Sequence, residues 1–138
     1  MREIKFRAWI KNNEEMCEVI CLQKQHITVN CIDRSTIYMD SNHPMEHKLF
    51  SLNKLEIMQY TGLKDKNGIE IYEGDIVISH NGAIQGVVVY QAPEFIIKRK
   101  LSHKTWTQFI LSAKENQYQE TIGNIYENPE LLETNEQN

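Results

Sequence analysis

Leu55-Glu56-Ile57-Met58-Gln59-Tyr60-Thr61-Gly62 opens the stretch that decides the fold. It continues through Asp65-Lys66-Asn67-Gly68, Ile69-Glu70-Ile71-Tyr72, Glu73-Gly74-Asp75 and Ile76-Val77-Ile78 to Gly86-Val87-Val88-Val89-Tyr90. Residues 55–60 alternate apolar and polar, the period of a half-buried strand. Asn67-Gly68 is a strong hairpin-turn signal because both residue types accept positive φ. At Glu73-Gly74-Asp75, glycine supplies a bend and the aspartate can bind a nearby backbone N–H. Asn81-Gly82 joins two further apolar runs. Five of the six glycines fall between Gly62 and Gly86, and the last is Gly123.

The same rhythm extends outward. Ile4-Lys5-Phe6-Arg7-Ala8-Trp9-Ile10 places Ile4, Phe6, Ala8 and Ile10 on one face of a strand. Lys11-Asn12-Asn13-Glu14 is a turn, and Met16–Leu22 returns, so residues 4–22 read as an N-terminal β-hairpin. Residues 26–32 and 36–39 are shorter strands, and Asp40–Ser51 reads as an exposed loop. Phe95–Lys100 and Trp106–Leu111 continue the meander, and 122–126 is the last strand. Asn128-Pro129-Glu130 begins a short helix, with Asn128 as N-cap and Pro129 at the first helical position. The expected class is therefore mainly β. It comprises a small SH3-like β-barrel in the C-terminal part, an N-terminal β-hairpin region and one short C-terminal helix. One domain is expected over 1–138, with an N-terminal β region at 1–54, a barrel part at 55–132 and a tail at 133–138.

Composition narrows the functions. The chain has 138 residues, 41% hydrophobic and 25% charged, as in globular proteins. No apolar run could span a bilayer, and the first residues lack the apolar core of a signal peptide. Three cysteines, Cys17, Cys21 and Cys31, are an odd count that fits reduced thiols. Cytoplasm is the expected location. The net charge of −4 is uneven, because Glu120, Glu127, Glu130, Glu133 and Glu136 stand in a tail without lysine or arginine, and removing it leaves +1.

Three separated blocks resemble the YopX family of phage and prophage proteins. The first is Arg2-Glu3-Ile4-Lys5-Phe6-Arg7-Ala8-Trp9. The second is Met58-Gln59-Tyr60-Thr61-Gly62-Leu63-Lys64-Asp65-Lys66-Asn67-Gly68 with Glu70-Ile71-Tyr72-Glu73-Gly74-Asp75-Ile76-Val77. The third is Ile122-Gly123-Asn124-Ile125-Tyr126-Glu127-Asn128-Pro129-Glu130-Leu131-Leu132. The resemblance implies a β-rich fold, a temperate-phage or prophage origin and self-assembly. It brings no reaction and no catalytic residues.

Several candidate sites have plainer readings. Cys17, Cys21, His43 and His47 could be written as a two-Cys, two-His metal set. Residues four apart on a strand are well separated, however, and zinc prefers closer pairs on a tight turn. Packing as small hydrophobes is the favoured reading of the cysteines. Glu73 and Asp75 could form a carboxylate pair, but turn chemistry explains them better. No nucleophile elbow, Walker loop or dinucleotide fingerprint occurs. No catalytic residue, metal, cofactor, membrane contact or small-molecule substrate is expected, and the chain reads as a non-enzyme.

The best local warrant for binding is nucleic acid. Lys98, Arg99, Lys100 and Lys104 lie near Trp106 without an intervening acid, and basic residues with an aromatic suit phosphates and unpaired bases. The acidic balance of the whole chain opposes it. The leading expectation is a non-enzymatic binding or assembly module that self-associates, with a nucleic-acid-binding barrel using residues 98–104 as the alternative.

Overall fold

Turn chemistry divides the chain into short strands, and hydrogen bonding reassembles them into antiparallel sheets. The computed structural model describes residues 3–22, 26–30, 47–100, 106–112, 114 and 116–133. Two compact units result: Lys5–Gln59, and Tyr60–Asn138 together with Met1–Ile4. Among the described residues the architecture is mainly β with one short helix near the C-terminus.

In the first unit β1 (Phe6–Ile10) and β2 (Glu15–Leu22) form the expected hairpin, followed by β3 (His26–Asn30) and β4 (His47–Ser51). β5 (Leu55–Lys64) begins here, and the pairing order is β4-β3-β2-β1-β5. Register places Ala8 opposite both Cys17 and Ile57, and Ile10 opposite Leu55. Side chains on one face of paired strands pack together, which explains a core of Ala8, Ile10, Cys17 and Leu55 flanked by Val19 and Ile57. Cys17 is therefore a buried thiol in an apolar cluster. Ile4 precedes β1 and is 70% exposed, so the apolar face starts later than alternation suggested.

Residues 47–51 were expected in a loop, but they form β4, with Ile27 opposite Phe50 and Val29 opposite Lys48. Pairing with β3 makes the strand despite its weak local pattern. Strand 36–39, loop residues 40–46 and tail residues 134–138 lie outside the described residues.

In the second unit β5 pairs with β6 (Glu70–Tyr72), and a five-stranded sheet follows. It contains β7 (Asp75–Ser79), β8 (Ile84–Gln91), β9 (Glu94–Lys100), β10 (Trp106–Ile110) and β11 (Gln119–Asn124), ordered β10-β9-β8-β7-β11. Where a small barrel is expected, the described strands form an antiparallel five-stranded sheet. Its core joins Ile71, Val77, Val88, Phe95, Ile97 and Leu111, with Leu63 and Phe109 packed against them. Burying each large aliphatic or aromatic side chain contributes about 1.5–3 kcal/mol. Gly86 lies where β9 crosses closely, and a Cβ there would stand 2.7 Å from both Ile97 Cγ2 and the Lys98 carbonyl oxygen.

β5 does not end at Thr61-Gly62 as alternation predicts. Tyr60 pairs with Tyr72 and Lys64 with Glu70, leaving a bulge between them. Gly62 adopts φ 87°, and Thr61 Oγ1 donates to the Ile71 carbonyl at 2.7 Å while accepting from Leu63 N–H at 3.2 Å. The hydroxyl thus replaces ladder bonds lost to the bulge.

At the chain's end β11 stops at Asn124, earlier than the expected 126. Asn124 Oδ1 accepts the N–H groups of Tyr126 and Glu127 at 3.0 and 2.8 Å, an Asx-type turn that competes with the ladder. The helix α1 (Glu130–Glu133) follows Asn128-Pro129 as read, yet Asn128 Oδ1 accepts from Asn124 N–H at 3.3 Å, so its side chain braces the preceding turn. Among the described residues no helix is long and apolar enough to cross a membrane.

Asp65 is 6% exposed. Its Oδ1 accepts N–H bonds from Asn67 and Ile69 at 2.8 and 3.0 Å, and its Oδ2 accepts one from Thr121 at 2.9 Å. Replacing it by alanine removes three charge-assisted bonds and leaves their donors to find water. Asp65→Ala is expected to lower stability by about 3 kcal/mol, read as a reduced urea midpoint with an unchanged slope. A shift under about 0.5 kcal/mol would show that the turn does not depend on this carboxylate.

Candidate binding surfaces of the C-terminal unit

Alternation along β9 separates the basic residues that are consecutive in sequence. Phe95 and Ile97 face the core cluster, and Arg99 follows them on that face, whereas Lys98 follows Ile96 on the other. Register puts Lys98 opposite Val87 on β8 and Gln108 on β10, Arg99 opposite Thr107, and Lys100 opposite Trp106. Lys98 and Arg99 are both half-buried. Lys100 and Trp106 are thus brought together in register at the end of the hairpin. Lys98 and Arg99 are directed apart, and Lys104 lies outside the described residues. Arg99 Nε is buried and has no hydrogen-bond partner among the described residues.

Carboxylates in the central stretch serve the backbone. Asp75, 2% exposed, accepts Tyr72 N–H at 2.8 Å across the Glu73-Gly74 bend. Gly74 N–H donates to the Val88 carbonyl at 2.8 Å, and the Gly74 carbonyl accepts from Ile125 N–H at 2.9 Å. Turn chemistry is therefore what Asp75 performs. Among the described residues, no three or more His, Cys, Asp or Glu side chains gather as a metal-binding group.

The aromatics distribute unevenly. Tyr60 is buried and lies 5.4 Å from Tyr72, ring centre to ring centre, whereas Tyr90 is half-exposed and packs 5.1 Å from Phe95. Tyr118, half-exposed, belongs to a site that sequence reasoning missed.

That site is an open pocket of about 410 Å³ where the β7–β8 turn meets the start of β11. Its lining includes Lys66, Ser79, His80, Asn81, Tyr118 and Glu120. Ser79 pairs with Gln119 across the sheet, and this register brings residues 79–81 beside residues 117–120. The turn is left-handed at His80 (φ 52°), Asn81 (φ 58°) and Gly82 (φ 88°). Positive φ is ordinary for glycine and tolerated by asparagine, but less common for histidine. Two contacts orient the His80 ring: a 2.8 Å hydrogen bond between its Nδ1 and the Ser79 hydroxyl, and stacking on Tyr118 at 5.3 Å and 26°. On the same rim Lys66 Nζ meets Glu120 Oε2 at 2.9 Å. The Asn81-Gly82 turn signal was the only part legible beforehand.

Leaving a buried guanidinium N–H unpaired costs about 1–3 kcal/mol. Arg99→Met keeps an unbranched side chain and removes that donor. The substitution is expected to raise stability by about 1 kcal/mol in urea unfolding. A comparable loss would mean that the guanidinium is satisfied in solution.

Known proteins share this fold. The crystal structure of protein EF1440 from Enterococcus faecalis is similar, with 29% identity, a TM-score of 0.60, and coverage of 96% of this chain and 99% of that one. The crystal structure of protein yopX from Bacillus subtilis covers the same shares at 21% identity and a TM-score of 0.53, a likeness of fold. No curated protein matches. The family described as YopX protein matches residues 5–133, almost the whole length, in agreement with the three blocks read from the sequence. The chain belongs to the YopX protein family.

Proposed function

We propose that the chain is a non-enzymatic assembly module of phage or prophage origin, acting in the host cytoplasm, that associates with a second copy of itself along β10. Phage origin rests on the family resemblance. A cytoplasmic setting agrees with the odd cysteine count and with Cys17 packed as a thiol among apolar side chains. The non-enzymatic reading is supported by the use of Asp65 and Asp75 as acceptors for backbone N–H groups.

The observation that carries self-association is a difference between the two edges of the five-stranded sheet. At β11 two outward backbone groups are occupied, because Lys66 N–H donates to the Gln119 carbonyl at 2.9 Å and Asp65 accepts Thr121 N–H. Among the described residues β10 ends the sheet on the other side. Leu111 N–H donates to the Phe95 carbonyl, which fixes the phase of the β9–β10 ladder. Thr107 and Phe109 therefore face β9, while Trp106, Gln108 and Ile110 direct their N–H and carbonyl groups outward. The strand Trp-Thr-Gln-Phe-Ile carries no charge or proline, the usual devices that discourage edge pairing. A second β10 running antiparallel would satisfy the same groups through a two-fold contact.

Nucleic acid bound by the segment 98–104 is less well supported, since alternation directs Lys98 and Arg99 to opposite faces.

Sedimentation across a wide concentration range tests the assembly. The unmodified chain is expected to dimerise. Gln108→Pro, which removes one outward N–H and leaves the β9 ladder, is expected to be monomeric with an unchanged β-type circular dichroism spectrum. A strictly monomeric parent chain, or a Gln108→Pro chain that dimerises as well as the parent, would reject the β10 edge.

A further inference from the structure

We infer that the pocket beside Tyr118 is a binding site for a nucleobase. This goes beyond self-association and involves a different edge of the unit. Four observations converge. First, the pocket volume of about 410 Å³ lies within the range of small-ligand sites, roughly 300–1,000 Å³.

Second, Tyr118 offers an aromatic surface that is half-exposed, although its ring already stacks with His80. Every nucleobase has a π-face, so an exposed ring beside a fixed one is a platform that suits this class. Third, the rim charges offset one another, because Lys66 and Glu120 are paired at 2.9 Å. With the two charges paired, a strongly anionic or cationic ligand gains little there, which favours a neutral one.

Fourth, the rim carries side-chain amides. Asn81 and Gln117 both line the pocket, and Gln117 Nε2 also donates to the Lys114 carbonyl at 3.4 Å, which leaves Asn81 as the amide for recognition. A carboxamide presents a donor beside an acceptor, the arrangement that pairs bidentately with the N6 and N7 edge of adenine. Asn81 occupies a left-handed position within a turn already constrained at His80 and Gly82. The Ser79 hydroxyl, from a residue only 3% exposed, anchors the histidine and thereby the stack.

The base could come from a mononucleoside or from single-stranded nucleic acid, and the test separates them. Adenosine, uridine and a short single-stranded oligodeoxyadenylate are titrated against the full chain, with binding followed by calorimetry and by ligand-observed NMR. Adenosine is expected to bind more tightly than uridine. Tyr118→Ala is expected to weaken binding by about tenfold or more, the scale of one lost base–aromatic stack. Asn81→Gly, which keeps the left-handed turn, is expected to abolish the adenosine preference while leaving stacking. Equal affinity per base for adenosine and the oligonucleotide assigns the site to free nucleosides, and much tighter oligonucleotide binding assigns it to a strand. Thermal unfolding of both variants establishes that they fold. No binding of any of the three probes at millimolar concentration, or binding unaffected by Tyr118→Ala in a folded chain, overturns the inference.

Discussion

A buried carboxylate in a hairpin turn is the constraint on which the C-terminal unit depends. Asp65 is nearly sealed from solvent, and a polar group there must be compensated by donors. The donors are backbone N–H groups: two from its own turn, Asn67 and Ile69, and one from Thr121 on β11. The local bonds define the turn, and the distant one ties it to the edge of the five-stranded sheet. Lys66 N–H adds a second tie at the Gln119 carbonyl. This pair of bonds closes the β11 edge and brings Lys66 to the rim of the Tyr118 pocket.

The Gly74 bend works similarly. Its N–H reaches Val88 and its carbonyl reaches Ile125, with the Asp75 carboxylate fastening Tyr72. Asn124 and Asn128 then form the turn that leads to α1. Many of the residues that carry the YopX resemblance are these turn-builders: Thr61, Gly62, Asp65, Gly74, Asp75, Asn124 and Asn128. Family identity in this chain follows the hydrogen bonding of bends. The two candidate surfaces lie mainly outside the motifs, on β10, at the β7–β8 turn and at the start of β11.

Local reasoning failed where distant pairing overrode it. Residues 47–51 have an unremarkable pattern and become a strand because β3 offers partners for them. β5 runs on through Gly62 because the Thr61 hydroxyl bridges the bulge. The basic run Lys98-Arg99-Lys100 looked like a single patch when read linearly. A strand turns successive side chains to opposite faces, so Arg99 follows the core-facing residues while Lys98 does not.

The amino-acid order by itself determined the mainly β class, most strand positions, the bends at Asn67-Gly68, Gly74 and Asn81-Gly82, the C-terminal helix and the family. These depend on alternation, glycine φ and turn side chains, which act over a few residues. Tertiary structure decided which strands became edges, which polar atoms were left without partners, and which side chains met across the sheet. His80 and Tyr118 stack because Ser79 pairs with Gln119. Register between strands distant in sequence is a property of the assembled sheet, and neither segment alone encodes it.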